Sequence, residues 1–164
     1  QIFVINGGPC RVGLESTIID LTTGTPTILR PGCITPEDLK KVLGVLSEFA
    51  NAHKESGPKA PGMLRRHYAP HHPLRMGVTA PMDHDGFLSF GSGLPLTRNT
   101  LNLSPSGDLR EAAANLFDYL KRLDGMNIQS IAVAPIPNEG VGIAINDRLS
   151  RAVSKDLERH PNER

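Results

Sequence analysis

Ser130-Ile131-Ala132-Val133-Ala134 is the run on which the fold turns. A short, continuous apolar stretch rich in β-branched residues predicts a strand buried on both faces, as found inside a parallel sheet. Before it, Asp108 to Leu123 sets Leu109, Ala112, Ala113, Leu116, Phe117 and Leu120 on one face at helical spacing, and Asp124-Gly125 stops that helix. After it, Ile143 to about Leu157 repeats the helical pattern, with Ile145, Leu149, Ala152 and Val153 expected inward. Gly86 to Phe90 and Thr100 to Leu103 add short strands upstream. Strand and helix in alternation predict a small α/β domain with a mainly parallel sheet.

The first half is organised differently. Ile2-Phe3-Val4-Ile5 reads as a strand apolar on both faces, which needs partners on either side; those partners are expected upstream. Ser16 to Leu21 and Pro26 to Arg30, joined through Thr22-Thr23-Gly24-Thr25, predict a hairpin that Pro31-Gly32 ends. Thr35-Pro36-Glu37-Asp38 then supplies an N-cap, a proline at the first helical position and two acids in the first turn. The helix they open is expected through Leu39, Val42 and Leu43, with an extension past Gly44 to Phe49 left open. From Asn51 the composition turns polar, and Pro58, Pro61, Gly62, Pro70 and Pro73 keep the chain extended.

The totals exclude several classes of function. In 164 residues, 38% hydrophobic and 21% charged residues describe an ordinary globular chain with a real core. Lys plus Arg, 18, nearly balances Asp plus Glu, 17, so no whole-molecule field draws in nucleic acid or an anionic membrane. Any anion site must be local. No apolar run approaches the roughly 18 residues of a membrane span, and no signal-peptide pattern opens the chain, so a cytoplasmic protein without membrane contact is expected. Cys10 and Cys33 are too few for a disulfide framework and are expected to be reduced and structural.

Pro61-Gly62-Met63-Leu64-Arg65-Arg66-His67-Tyr68-Ala69-Pro70 carries more chemistry than a spacer needs. Two fixed positive charges, a titratable ring and a phenol on one extended strap suit closure over an anionic ligand. Ser16 and Thr17 begin a strand beside the glycine-bearing approach Gly13-Leu14-Glu15, where hydroxyls can reach a ligand, although ordinary strand composition gives the same residues. Arg30, at the end of the partner strand, can fork onto a phosphate or end in a surface ion pair. Gly7-Gly8-Pro9 offers backbone donors to an anion, or only a tight turn. His67, His71 and His72 invite a metal reading that Pro70 and Pro73 oppose, since they deny helical presentation, so no protein metal site is expected. Gly140-Val141-Gly142 lacks the third glycine and the acid of a dinucleotide loop and reads as a packing turn. No Ser-His-Asp order, phosphate-loop pattern or CxxC appears, so the chain offers no protein nucleophile with an evident activating base.

Taken together, Gly7-Gly8-Pro9-Cys10, Gly13 to Leu21, Ile28 to Gly32 and Pro61 to Pro70 resemble the threonylcarbamoyl-AMP synthase family in its longer, two-domain form. Gly142-Ile143-Ala144-Ile145-Asn146-Asp147-Arg148-Leu149 resembles the closing helix of that form's accessory domain. The resemblance implies three parts. Residues 1–50 would be the C-terminal part of a YrdC-like α/β catalytic domain, 51–73 an extended Pro/Gly-rich linker, and 74–164 a Rossmann-like accessory domain. It also implies an activity: L-threonine, bicarbonate and ATP, with Mg²⁺, give threonylcarbamoyl-adenylate and pyrophosphate, the donor for threonylcarbamoyladenosine in tRNA. By resemblance Ser16 and Thr17 would contact threonine, Arg30 the ATP phosphates, and Tyr68 and His67 the nucleotide from the strap, with tRNA or a downstream transferase as a further partner.

The departure is the absence of the family's Lys-x-Arg pair and Ser-x-Asn motif from these 164 residues. The chain therefore looks like the back part of the enzyme, and little or no synthase activity is expected of it. A non-catalytic nucleotide- or tRNA-binding module is the alternative of a different class. A purely structural fragment, folded only in its second half, stays open as well. The strap and the α/β tail argue against a carbamoyl-adenylate enzyme of hydrogenase maturation, which shares the catalytic fold.

Overall fold

The computed structural model describes residues 2–5, 7–8, 10, 12–22, 24–47 and 69–153. In the first part, β1 (Ile18–Asp20) pairs antiparallel with β2 (Thr27–Arg30), so the expected hairpin is present, with a register shift between Ile18 and Ile19. Helix α1 (Pro36–Leu43) starts as its sequence requires. The Thr35 side chain accepts the Asp38 backbone N–H at 3.2 Å, and its hydroxyl donates to the Asp38 carboxylate at 3.0 Å.

One expectation for this part does not hold, and the extension of α1 left open past Gly44 is not taken up by residues 44–47. Helix α1 stops at Gly44, whose φ of 74° lies in the left-handed region, and it does not continue toward Phe49. None of its residues is buried, and Val42 faces outward. Ile2 to Ile5 form no strand; all four side chains are exposed, because no described strand lies beside them to accept their backbone pairing.

The second part is built on four parallel strands: β3 (Leu74–Met76), β4 (Asp85–Ser89), β5 (Thr100–Asn102) and β6 (Ser130–Val133), in spatial order β3-β6-β4-β5. The run that decided the fold is thus a central strand, flanked by β3 and β4, and Ile131, Ala132 and Val133 are fully buried. Helix α2 (Leu109–Asp124) begins at Asp108, whose carboxylate accepts the N–H groups of Arg110 and Glu111, and turns Ala112, Ala113, Leu116, Leu120 and Leu123 into the core. Helix α3 (Gly142–Ala152) buries Ile145, Leu149 and Ala152. Val153 was expected inward but is partly exposed, since it caps the helix in an extended conformation and leaves the helical face. The α/β class with a parallel sheet is the observed one.

Strand β3 escaped the sequence reading because Leu74-Arg75-Met76 is too short to show a period. What holds it is the Asp85 carboxylate, buried at the start of β4. Asp85 accepts from Arg75 Nη2 at 2.7 Å, from Ser130 Oγ at 2.5 Å and from the Met82 N–H at 2.8 Å, so one anion ties β3, β4 and β6. Burial alone would raise its pKa. The Ser130, Met82 and Arg75 donors outweigh burial and hold the carboxyl below its ordinary value.

Candidate functional site

Ser16 lies at the mouth of the hairpin, just before β1. The register sets Ile18 opposite Arg30, so the Arg30 side chain reaches back along β1. Its Nε donates to the Ser16 carbonyl and its Nη2 to Ser16 Oγ, each at 3.0 Å. Arg30 is only 8% exposed, which rules out the surface ion pair that a lone Arg so often makes. A guanidinium buried this far is tolerable only where acceptors meet it. By accepting from Arg30, the exposed Ser16 hydroxyl stays able to donate its own hydrogen to a ligand. Thr17 spends its hydroxyl hydrogen on the Ile34 carbonyl, at 2.8 Å, and keeps acceptor capacity.

Gly32 lets the two halves of this site meet. A Cβ on it would collide with the Glu15 carbonyl oxygen and lie 2.5 Å from Thr17 N and 2.7 Å from Ser16 C, all backbone atoms. The Pro31-Gly32 turn therefore packs directly against the backbone that carries Ser16 and Thr17.

Of the strap, Tyr68 and His67 lie outside the described residues, as do Arg65 and Arg66. Its described end, Ala69 and Pro70, lines a cleft of about 310 Å³ with Phe117, Leu120, Lys121 and Asp124. Immediately after it, His71 and His72 both turn to Asp124, the last residue of α2. His71 Nδ1 lies 2.7 Å from Oδ2, and His72 approaches Oδ1 with both its backbone N–H and its Nδ1, each at 3.0 Å. Burial would raise the Asp124 pKa, but the N–H groups of His72 and His71 and the two rings hold the carboxyl well below the usual carboxylate range. The two histidines thus clasp the strap's exit to α2. Among the described residues no group of three His, Cys, Asp or Glu is placed to hold a metal ion.

The remaining sequence candidates have quieter roles. A Cβ on Gly142 would run into the Pro137 carbonyl, which is the close packing expected of Gly140-Val141-Gly142. Cys10 and Cys33 are both free thiols; burial pushes the Cys33 thiol up, only partly offset by Arg110, and makes it a poor nucleophile. Among the described residues no helix is long and apolar enough to cross a membrane.

The family model for the threonylcarbamoyl-AMP synthase C-terminal domain matches residues 34–154. The chain belongs to that family. A threonylcarbamoyl-AMP synthase of Pyrococcus abyssi is 32% identical over 167 residues, and one of Bacillus subtilis is 30% identical over 165. Each alignment takes in 91% of this chain and 48% of the relative, so the chain spans about half the length of these synthases. A crystal structure of P. abyssi Sua5 complexed with L-threonine superposes with a TM-score of 0.73 at 32% identity, covering 89% of this chain and 47% of that one.

Sequence reasoning missed the residues that join the two parts of this family member. Glu15 Oε2 pairs with Arg148 Nε of α3 at 2.8 Å, Gly13 lies on the backbone of α2, and Leu14 packs against the main core. Each of these partners is remote in sequence, and no local pattern announces a contact between a loop glycine and a helix more than half the chain away.

Proposed function

We propose that this chain supplies one wall of a threonylcarbamoyl-AMP synthase, a nucleotidyltransferase that makes threonylcarbamoyl-adenylate and pyrophosphate from L-threonine, bicarbonate and ATP. The observation that carries the reading is the buried Arg30 guanidinium hydrogen-bonded to Ser16. In the assignment drawn from the family resemblance, Ser16 and Thr17 contact threonine, and Arg30 contacts the ATP phosphates. On that assignment the 3.0 Å bond between Arg30 and Ser16 would bring the threonine contact beside the phosphate contact.

The chemistry asks for that adjacency. The threonine amine takes up the carbon of bicarbonate to form a carbamate, with loss of water. A carbamate oxygen then attacks the α-phosphorus of ATP, the bond to the β-phosphate oxygen breaks, and pyrophosphate leaves. The nucleophile comes from the substrate, so no activated protein side chain is needed, in keeping with the lack of one in the sequence. The protein aligns the carbamate with the phosphorus and neutralises phosphate charge, with Mg²⁺ arriving on the nucleotide. Tyr68 and His67, on the strap, would close over the nucleotide, and the His71–His72–Asp124 clasp holds the chain just after Pro70 to the end of α2.

The division that goes with this function is a catalytic part over 1–50, a linker over 51–73 and an accessory domain over 74–164. The product would serve threonylcarbamoyladenosine formation in tRNA, by way of a downstream transferase, in the cytoplasm.

Pyrophosphate release with L-threonine, bicarbonate and Mg-ATP tests the reading. These 164 residues alone are expected to show little or no turnover, because the Lys-x-Arg and Ser-x-Asn contacts are not among them. In a chain that also carries those motifs, release should need all three substrates and collapse on Arg30→Ala. Release that survives both Arg30→Ala and Ser16→Ala would overturn it.

A further inference from the structure

Residues 12–15 rest against the accessory part and lead straight into Ser16, and three contacts fix them there. Gly13 has φ 64°, and a Cβ on it would collide with the Ala113 carbonyl and lie 2.6 Å from Ala114 Cα, so the loop rests on the backbone of α2. Leu14, the next residue, packs against the main core. Glu15 then meets Arg148 of α3 at 2.8 Å, and the Arg148 side chain is 4% exposed against 25% for Glu15. One residue further on stands Ser16, with Arg30 on its carbonyl and hydroxyl.

We propose that Arg148 is a positioning residue for the Ser16–Arg30 pair, acting through Glu15, so that the accessory domain sets the geometry of the threonine and phosphate contacts. This rests on the reading of that pair given above. The physical case is one of asymmetry. Arg148 sits on a helix locked into the core by Ile145 and Leu149, whereas Glu15 sits on a loop with far less packing of its own. The more deeply packed member therefore dictates where the other goes. A buried cation that would be costly to leave unpaired holds the Glu15 carboxylate, and with it the backbone that orients Ser16. Gly13 and Leu14 remove the remaining slack in the loop.

The test uses the full chain and four sequences: the wild type, Arg148→Met, Arg148→Lys and Glu15→Gln. Arg148→Met keeps side-chain bulk and removes the charge, while Glu15, being partly exposed, can rehydrate. L-Threonine and ATP affinities are measured by calorimetry, and amide hydrogen exchange is followed at Ser16 to Ile18 and, as an internal standard, at Leu116 to Leu123. In Arg148→Met, threonine affinity should fall roughly tenfold, as is usual for coupled sites, and exchange at Ser16 to Ile18 should rise by a similar factor. Exchange within α2 should stay as it was, and Arg148→Lys should restore part of the loss. Equal loosening of α2 and of Ser16 to Ile18 would mean a general structural role, and no change at either would mean no coupling; both overturn the proposal. If Arg148→Met does not fold, Glu15→Gln gives the same comparison, because it removes the charge of the pair while its amide oxygen can still accept from Arg148 Nε. If this chain, lacking the Lys-x-Arg and Ser-x-Asn contacts, binds neither ligand, the exchange comparison alone decides the positioning role, and the functional reading is judged separately by Arg30→Ala in a chain that carries those motifs.

Discussion

Gly32→Ala perturbs the candidate site without touching a charged or hydroxyl group. The added Cβ would lie 2.5 Å from Thr17 N and 2.7 Å from Ser16 C, and would collide with the Glu15 carbonyl; ordinary contact begins at 3.4 Å. Every clashing atom is backbone, so no side chain can rotate away. The Pro31–Gly32 turn or the 15–17 segment must back off by about 1 Å, in a region packed like a crystal rather than a liquid. Overpacking of this kind costs about 1–3 kcal/mol. If the cost is met by local opening, amide exchange in β1 and β2 should rise about 5- to 150-fold, while the buried amides of α2 keep their protection. A displacement near 1 Å between reacting groups can also cost about a hundredfold in rate. Hydrogen exchange with mass-spectrometric readout, alongside pyrophosphate release in a chain carrying the whole site, measures both effects. Unchanged exchange in β1 and β2 together with unchanged turnover would refute the claim that Gly32 is the point of closest approach behind Ser16 and Arg30.

Asp124→Asn should loosen the clasp on His71 and His72 and speed exchange at His72. Since the native carboxyl is held below its ordinary value, Asp124 stabilises the fold above the unfolded carboxylate pKa of about 3.9, and this is lost as pH falls through the lower native value. The variant should therefore show a shallower acid limb in a stability-against-pH curve, and an unaltered limb would count against the clasp. Asp85→Ala strands the Ser130, Met82 and Arg75 donors and should cost about 3–5 kcal/mol, read as a fall in the urea midpoint. Thr35→Ala removes the N-cap of α1 and should cost about 1 kcal/mol, visible as lost helix signal with the α/β part intact.

The sequence made legible whatever is periodic or capped locally. The Thr35-Pro36 start, the apolar face of α2, its Asp124-Gly125 stop and the buried run at Ser130 to Val133 all carry their structure in neighbouring residues. Strand β3 did not, because three residues show no period and its place depends on Arg75 reaching Asp85. Ile2 to Ile5 misled because an apolar run states a need for burial and not where the cover comes from. In the site, Ser16 and Arg30 stood out by residue type, but only the hairpin register shows that they touch. The Glu15–Arg148 pair and the double histidine clasp join residues far apart in the chain, and single-sequence patterns carry no information about such pairings.

The most direct measurement is a titration of isotope-labelled protein with L-threonine and a non-hydrolysable ATP analogue, followed by NMR. Threonine should shift the resonances of Ser16 and Thr17 first, the nucleotide should shift the Arg30 side chain, and each ligand should tighten the binding of the other. Shifts confined to the cleft beside Ala69, Phe117 and Lys121, with Ser16 and Arg30 silent, would contradict the assignment of this pair as the threonine and phosphate wall of a synthase.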